Sequence, residues 1–303
     1  MPNRDLILLE TVKTHRARLT SAFVFGELAE RRVANDNLRR LIGGIVLAAV
    51  VCAGCVGFSL VSGLLGTQAA AQRQQAGMGP ATGPIFAADT FDRRTTGGWG
   101  TAERGGAWMV AGSSTDYTVA HGAATIGLPE GQLRGGYLPS QLQDRSDVTA
   151  SVVRSTGPQQ GAVAVALAGR RVSSTQDYRA NVVLGDDGSL AISLSRRADP
   201  TGPDRRQEES LSPTVILDGA GADPSQASQP VSVRLQVIGT SPTTLRAKAW
   251  PANATEPDAW TVTATDSTAG LQRPGSVGLS AVRSGGTGPA ALSVTDLVAR
   301  TAP

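Results

Sequence analysis

The sequence predicts a mainly β protein: one antiparallel β-sandwich carried outside a membrane by a cytoplasmic helix and a single transmembrane helix. Three observations predict it. Residues 41–65 form an uncharged run of 25 residues with basic side chains at its N-terminal edge. From residue 85 onward apolar and polar residues alternate in segment after segment, and no stretch of useful length has helical periodicity. Turn signals separate the alternating segments, so the strands are short and antiparallel rather than joined by crossover helices.

The elements follow in chain order. Residues 4–32 contain no proline and place Leu6, Leu9, Val12, Leu19, Ala22 and Phe23 at helical spacing. Residues 1–40 are therefore expected to be a cytoplasmic amphipathic tail, suited to resting on anionic lipid, docking on a partner, or orienting the anchor. Eight basic side chains face five acidic ones in that tail, which accounts for the whole formal charge of +3. The remainder of the chain is neutral, so the basic pI describes a short tail and no nucleic-acid surface is expected.

Leu41 to Leu65 is long enough to span a hydrocarbon core of about 30 Å as a helix. A cleaved signal usually has an apolar run of about 7–15 residues behind a short basic start, which this segment exceeds. Arg39 and Arg40 on one side, against the single Arg73 on the other, place the N-terminus in the cytoplasm and the larger part outside. Both cysteines, Cys52 and Cys55, lie within the run. Burial at mid-bilayer disfavours a thiolate, so they read as small apolar helix residues and not as a redox pair or half a metal site. Ala49, Ala53 and Gly57 recur at four-residue spacing, a stripe against which another helix could pack, with membrane self-association as the consequence.

The stretch THRARLTSAFVFG, a short polar break, NLRR and then a single span resemble the start of EccB-type membrane components of type VII secretion systems. Those are N-inside, single-pass proteins of actinobacterial cell envelopes. The resemblance covers the first 65 residues. It implies a similar mode of insertion and a secretion-apparatus neighbour. The large repeat-containing EccB periplasmic part has no counterpart here.

Residues 66–84 are rich in Ala, Gln, Gly and Pro and read as a flexible spacer. Residues 85–303 then form the outer domain. Val148/Ala150/Val152, Val163/Val165/Leu167, Tyr178/Ala180/Val182/Leu184, Leu190/Ile192/Leu194, Val231/Val233/Leu235/Val237, Leu245/Ala247/Ala249 and Val277/Leu279/Ala281 each alternate with polar residues. GDDGS at residues 185–189 separates two such runs and predicts a tight hairpin.

DTFDRRTTGGWGTAERGGAWMVAG near the start of this domain, DYRANVVLGDDGSLAISLSR in its middle and VSVRLQVIGTSPTTLRAKAW towards its end resemble a concanavalin A-like, laminin G-like jelly-roll module of bacterial surface and phage-tail proteins. The resemblance covers Ile85 to Ala299. It implies a jelly-roll sandwich with DTFDR and VTDLVAR as neighbouring terminal strands. It implies no single function, because such sandwiches serve as glycan binders, spacers and enzymes.

Candidate chemistry is sparse. Glycosidases of this fold need two carboxylates across a cleft. The E-x-D-x-x-E arrangement of the glucanases is absent, and Glu103, Glu130, Glu208, Glu209 and Glu256 all sit beside turn residues or charge clusters. Glu208 and Glu209 are expected in a solvated loop. His121 is the one histidine of the outer domain, and no G-x-S-x-G accompanies it. Trp99, Trp108, Trp250, Trp260, Tyr117, Tyr137 and Tyr178 supply the aromatics a glycan face would use, and core or strand-end packing is the expectation for them. Asp89, Asp92 and Asp296 would converge if the terminal strands pair, and oxygen ligands suit calcium; the competing expectation is local turn capping. No other cofactor is implied. The sequence therefore points to a non-enzymatic binding or scaffolding module of the cell envelope, with the bilayer, a cell-wall glycan or an envelope protein as partner. A glycan-active enzyme on the same fold is the alternative.

Overall fold

The structure is a computed structural model, and it describes residues 83–155, 161–198, 208–217 and 229–303. The cytoplasmic tail, the apolar segment with Ala49, Ala53 and Gly57, the spacer to residue 82 and the EccB-like stretch lie outside the described residues. Among the described residues no helix is long and apolar enough to cross a membrane.

The described residues form seventeen strands: β1 (Ile85–Asp89), β2 (Thr95–Thr96), β3 (Met109–Ala111), β4 (Tyr117–Ala120), β5 (Ala123–Gly127), β6 (Arg134–Gln143), β7 (Ser146–Arg154), β8 (Ala162–Arg171), β9 (Asp177–Leu184), β10 (Leu190–Arg197), β11 (Glu208–Ser210), β12 (Val215–Ile216), β13 (Val231–Ile238), β14 (Thr243–Pro251), β15 (Val262–Asp266), β16 (Gly275–Ser284) and β17 (Ala291–Arg300). They make two antiparallel sheets. One runs β15-β14-β13-β7-β17-β5-β4-β2, with β1 also on β17; the other runs β11-β10-β9-β8-β16-β6-β3, with β12 also on β10. This is a mainly β sandwich of two sheets, the arrangement of a jelly roll.

The expected alternation holds. In β7 the inward residues Val148, Ala150 and Val152 are at most 2% exposed, and they face Val165, Leu167, Ala180 and Val182 of the other sheet. Leu235, Leu245, Ile192 and Leu194 are fully buried in the same core. Each such side chain contributes roughly 1.5–3 kcal/mol by leaving water. The GDDGS hairpin closes between β9 and β10, with Gly185 N–H donating to the Ser189 carbonyl at 2.8 Å and Gly188 at φ +84°. The terminal strands are neighbours, as the family resemblance implies: Ala87, Ala88 and Asp89 pair with Ala299, Val298 and Leu297.

The opening motif folds over one end of the core as a knot around Asp89. Both carboxylate oxygens accept from the Arg93 guanidinium at 2.7 Å. Asp89 also accepts from Trp108 Nε1 at 2.6 Å and from the Phe91 amide at 2.9 Å. That last bond holds Phe91 in the left-handed region at φ +58°, where a bulky residue is strained. Arg93 donates onward to the Trp99 carbonyl; Trp99 packs edge to face on Phe91, Trp108 and Tyr117 with ring centres 5.0–5.8 Å apart, and Phe91 lies tilted on Trp108 at 5.9 Å. Trp99 lies directly on β6: a Cβ at Gly136 would stand 2.3 Å from its ring.

At another edge of the core Arg170 is wholly buried. It donates to Thr243 Oγ1 and Gly239 O at 2.9 Å and to the carbonyl of Asp144. Burial lowers its pKa from the ordinary arginine value, and the nearby Tyr178 hydroxyl and Asp144 carboxylate oppose that shift.

Gly136→Ala is expected to destabilise the sandwich by about 1–3 kcal/mol, because the added methyl overpacks a fixed indole. Urea unfolding followed by tryptophan fluorescence measures this; an unchanged midpoint would show that Trp99 does not rest on β6.

Candidate functional site

Each sheet has an outer face as well as a core face, and both outer faces carry buried charge: Asp147, Arg234 and Lys248 on one, Asp177 and Arg179 on the other. On the nine-stranded sheet the register sets Arg234 of β13 beside Thr149 of β7 and Lys248 of β14, and Gln236 beside Asp147. Their chain neighbours Val233 and Leu235 point into the core, so these polar side chains point away from it. Arg234 makes a two-pronged pair with Asp147 at 2.7 and 2.6 Å, and Gln236 donates to the same carboxylate at 3.1 Å. The remaining Arg234 nitrogen, Nη1, donates to Glu256 Oε1 at 2.5 Å, and Lys248 Nζ reaches the same oxygen at 2.7 Å.

Glu256 belongs to the connection between β14 and β15, which crosses this face and ends at Trp260. The Trp260 ring centre is 5.3 Å from the Arg234 guanidinium carbon and 4.9 Å from Lys248 Nζ; Trp250 lies 6.0 Å from the same Nζ. Trp250 and Trp260 are nearly buried, yet they stand apart from the core cluster. Burial works against the charged Arg234, and the hydrogen bonds and charges of Asp147 and Glu256 outweigh it and raise the guanidinium above its ordinary value. Burial also pushes the Glu256 carboxyl up, but the Lys248 and Arg234 contacts prevail and hold it below the usual range.

The outer face of the eight-stranded sheet is filled in the same way. Asp177 is fully buried and accepts from Arg179 Nε at 2.9 Å and Nη2 at 2.7 Å. Glu208 accepts from Ser195 Oγ at 2.7 Å and Asn181 Nδ2 at 3.2 Å, with Arg179 Nη1 at 3.6 Å. On the inward side of β10, Arg196 bridges Glu209 at 2.6 Å and Asp266 of β15, in the other sheet, at 2.8 Å. Across the sheet Arg171 stacks at 4.0 Å on the Tyr137 ring.

Glu208 and Glu209 depart from the solvated loop expected for them. They form edge strand β11 on β10, because the register sets Glu208 and Glu209 opposite Arg197 and Arg196. Trp99, Trp108 and Tyr117 are core residues, as expected, and so is Tyr178, whose hydroxyl donates to Asp266 at 2.6 Å. His121 is exposed in the tight β4–β5 turn at φ +54°. The interlock of Glu256 with Arg234 and Lys248 was not visible in the sequence.

Asp89 and Asp296 are brought close, since Asp89 pairs with Leu297. Asp92 is exposed in the following turn. The calcium reading does not fit Asp89 as placed, because Arg93, Trp108 and the Phe91 amide use both of its oxygens and a guanidinium already supplies the countercharge. Among the described residues no group of three or more acidic, histidine or cysteine side chains is arranged to hold a metal ion. Asp296 differs from Asp187, Glu256 and Asp266, whose carboxyls are held below the usual range. Burial raises its pKa, and the charges of Glu103 and Asp89 push the same way.

No protein-family model matches the chain, and no curated protein sequence matches it. Among solved structures, the chain is similar to a legume lectin-like domain from Entamoeba histolytica at 12% identity, with 65% of this chain and 90% of that one covered and a TM-score of 0.44. It is similar to the laminarinase from Rhodothermus marinus at 9% identity, 73% and 98% coverage and a TM-score of 0.46. A non-specific endo-β-1,3(4)-glucanase of family GH16 gives 11% identity, 74% and 94% coverage and a TM-score of 0.46. The fold assignment rests on the strand order described above.

Because the folded Asp296 carboxyl titrates above its unfolded value, its ionised form is the disfavoured one, and stability rises as pH falls through the folded pKa. Asp296→Asn is therefore expected to raise Tm at pH 7, with the gain shrinking towards pH 4. An equal or lower Tm at pH 7 would contradict this. Added calcium is expected to leave Tm unchanged; a calcium-dependent rise abolished by Asp296→Ala would restore the metal reading.

Proposed function

We propose that this chain is a single-pass, membrane-anchored, non-enzymatic binding or scaffolding protein whose β-sandwich faces the cell envelope. Residues 41–65 supply the anchor and residues 66–84 set the reach of the sandwich. One observation carries the non-enzymatic part. The outer-face carboxylates Asp147, Glu256, Asp177 and Glu208 are each shared with arginine or lysine within 4.0 Å, and Glu209 and Asp266 share Arg196 between the sheets. A glycosidase needs one carboxylic acid held protonated at working pH beside a second free carboxylate. Cationic partners oppose the first requirement and occupy the second.

A second reading has its own observation. Asp296, raised and close to Glu103, is the carboxyl pair that a glycan-active enzyme on this fold would have to use. Envelope glycans are the ligand class both readings share.

The test is a glycan array probed with the full-length chain in detergent, followed by incubation of any bound glycan and product analysis. Binding without new reducing ends is expected, and Asp296→Asn is expected to leave binding intact. Release of sugar by the wild-type chain, lost in Asp296→Asn, would overturn the non-enzymatic reading in favour of the second one.

A further inference from the structure

We infer that Glu256 occupies, within its own chain, a binding site for carboxylate-bearing sugars built on the outer face of the nine-stranded sheet. The inference rests on the binding reading above and names its ligand class. The site consists of Arg234, Lys248, Trp250 and Trp260. Arg234 and Lys248 are each 4% exposed, so two cations are held out of water on this face. Asp147 neutralises one of them and takes Arg234 Nε and Nη2. The two donors that remain, Arg234 Nη1 and Lys248 Nζ, converge on one oxygen, Glu256 Oε1. Without Glu256 the face carries one uncompensated positive charge that a second carboxylate must fill.

The occupant differs in kind from the site. The cations are fixed on adjacent central strands, whereas Glu256 sits in a connection whose residues 252–259 are all exposed, and its own side chain is 39% exposed. The apex of that connection meets the sheet through the Glu256 carboxylate and through the Pro257 carbonyl, which accepts from Lys248 Nζ. Both contacts end on the groups that an outside carboxylate would use. The two indoles flank Lys248 Nζ, at 4.9 and 6.0 Å from their ring centres. The indoles are 8% and 6% exposed with the strap in place, so a pyranose ring bearing a carboxylate reaches them only as the strap leaves, its acid on Arg234 and Lys248 and its ring against an indole. A neutral sugar leaves the charge unanswered, so the site discriminates in favour of uronates. Segment 252–259 is the strap that an acidic sugar displaces.

The experiment uses the full-length chain in detergent, with oligogalacturonate as probe and neutral laminarin oligomers as control. Removing the internal competitor in Glu256→Gln is expected to strengthen oligogalacturonate binding about tenfold or more over wild type, with no gain for laminarin. Adding Lys248→Met to that variant is expected to abolish the gain. In the wild-type chain, saturating oligogalacturonate is expected to accelerate amide exchange across 252–259, a readout that needs no variant to fold. A folded Glu256→Gln chain with no gain, or unchanged exchange in the wild type at saturation, overturns the inference. If array binding to neutral glycans persists alongside that result, the acidic site fails and the binding reading stands. If no glycan of either kind is bound, both fall.

Discussion

Everything on the outer face of the nine-stranded sheet depends on how Arg234 is paired. A central strand of a two-layer sandwich has one side in the core and one side towards solvent, and among the described residues no helix packs on the second side. Arg234 nevertheless sits almost out of water. Such a charge is tolerated only with its partners in place, and removing one partner of a buried pair costs about 3–5 kcal/mol. Asp147 on the neighbouring strand answers two of its nitrogens, and Glu256 answers the third from 22 residues further along the chain. The first contact fixes the register of β7 against β13. The second closes a connection over the sheet.

The same constraint shapes the rest of the domain. Asp89 is buried because Arg93, Trp108 and a backbone amide supply its countercharge and donors, and the aromatic cluster of the opening motif is assembled around it. Asp177 is buried because Arg179 pairs with it on the opposite sheet. Arg170 is buried against carbonyls and a hydroxyl. Each of these buried charges is matched by opposite charge or by hydrogen-bond partners at its own site. Asp296 is raised instead, by burial and by the charges of Glu103 and Asp89.

Much of the fold could be read from residue order. Alternation at Val148, Ala150 and Val152 or Leu190, Ile192 and Leu194 reports which side of a strand is buried, and GDDGS reports a turn by its backbone demands. The site was far less legible. Alternation says that Arg234 and Lys248 face outward, but their adjacency is a matter of strand register, and their closure by Glu256 depends on how an irregular connection crosses the sheet. The four tryptophans look alike in sequence. Trp99 and Trp108 enter the core through the turn at Phe91, whereas Trp250 and Trp260 land on cations outside it. Glu208 and Glu209 read as a charge cluster because their partners Arg196 and Arg197 come into register only once β10 is in place.

Glu256 is held ionised by Arg234 and Lys248 on a closed face. Carboxyl-carbon NMR of the full-length chain, with the Glu256 signal assigned by its loss in Glu256→Gln, measures this directly. A depressed folded pKa contributes stability above the unfolded value, and that stability is lost as pH falls through the folded one. The account predicts a Glu256 midpoint below the ordinary glutamate value of about 4.3, with the Trp260 signals shifting as the strap lets go over the same pH interval. A midpoint at or above that value, with Trp260 unmoved, would contradict it.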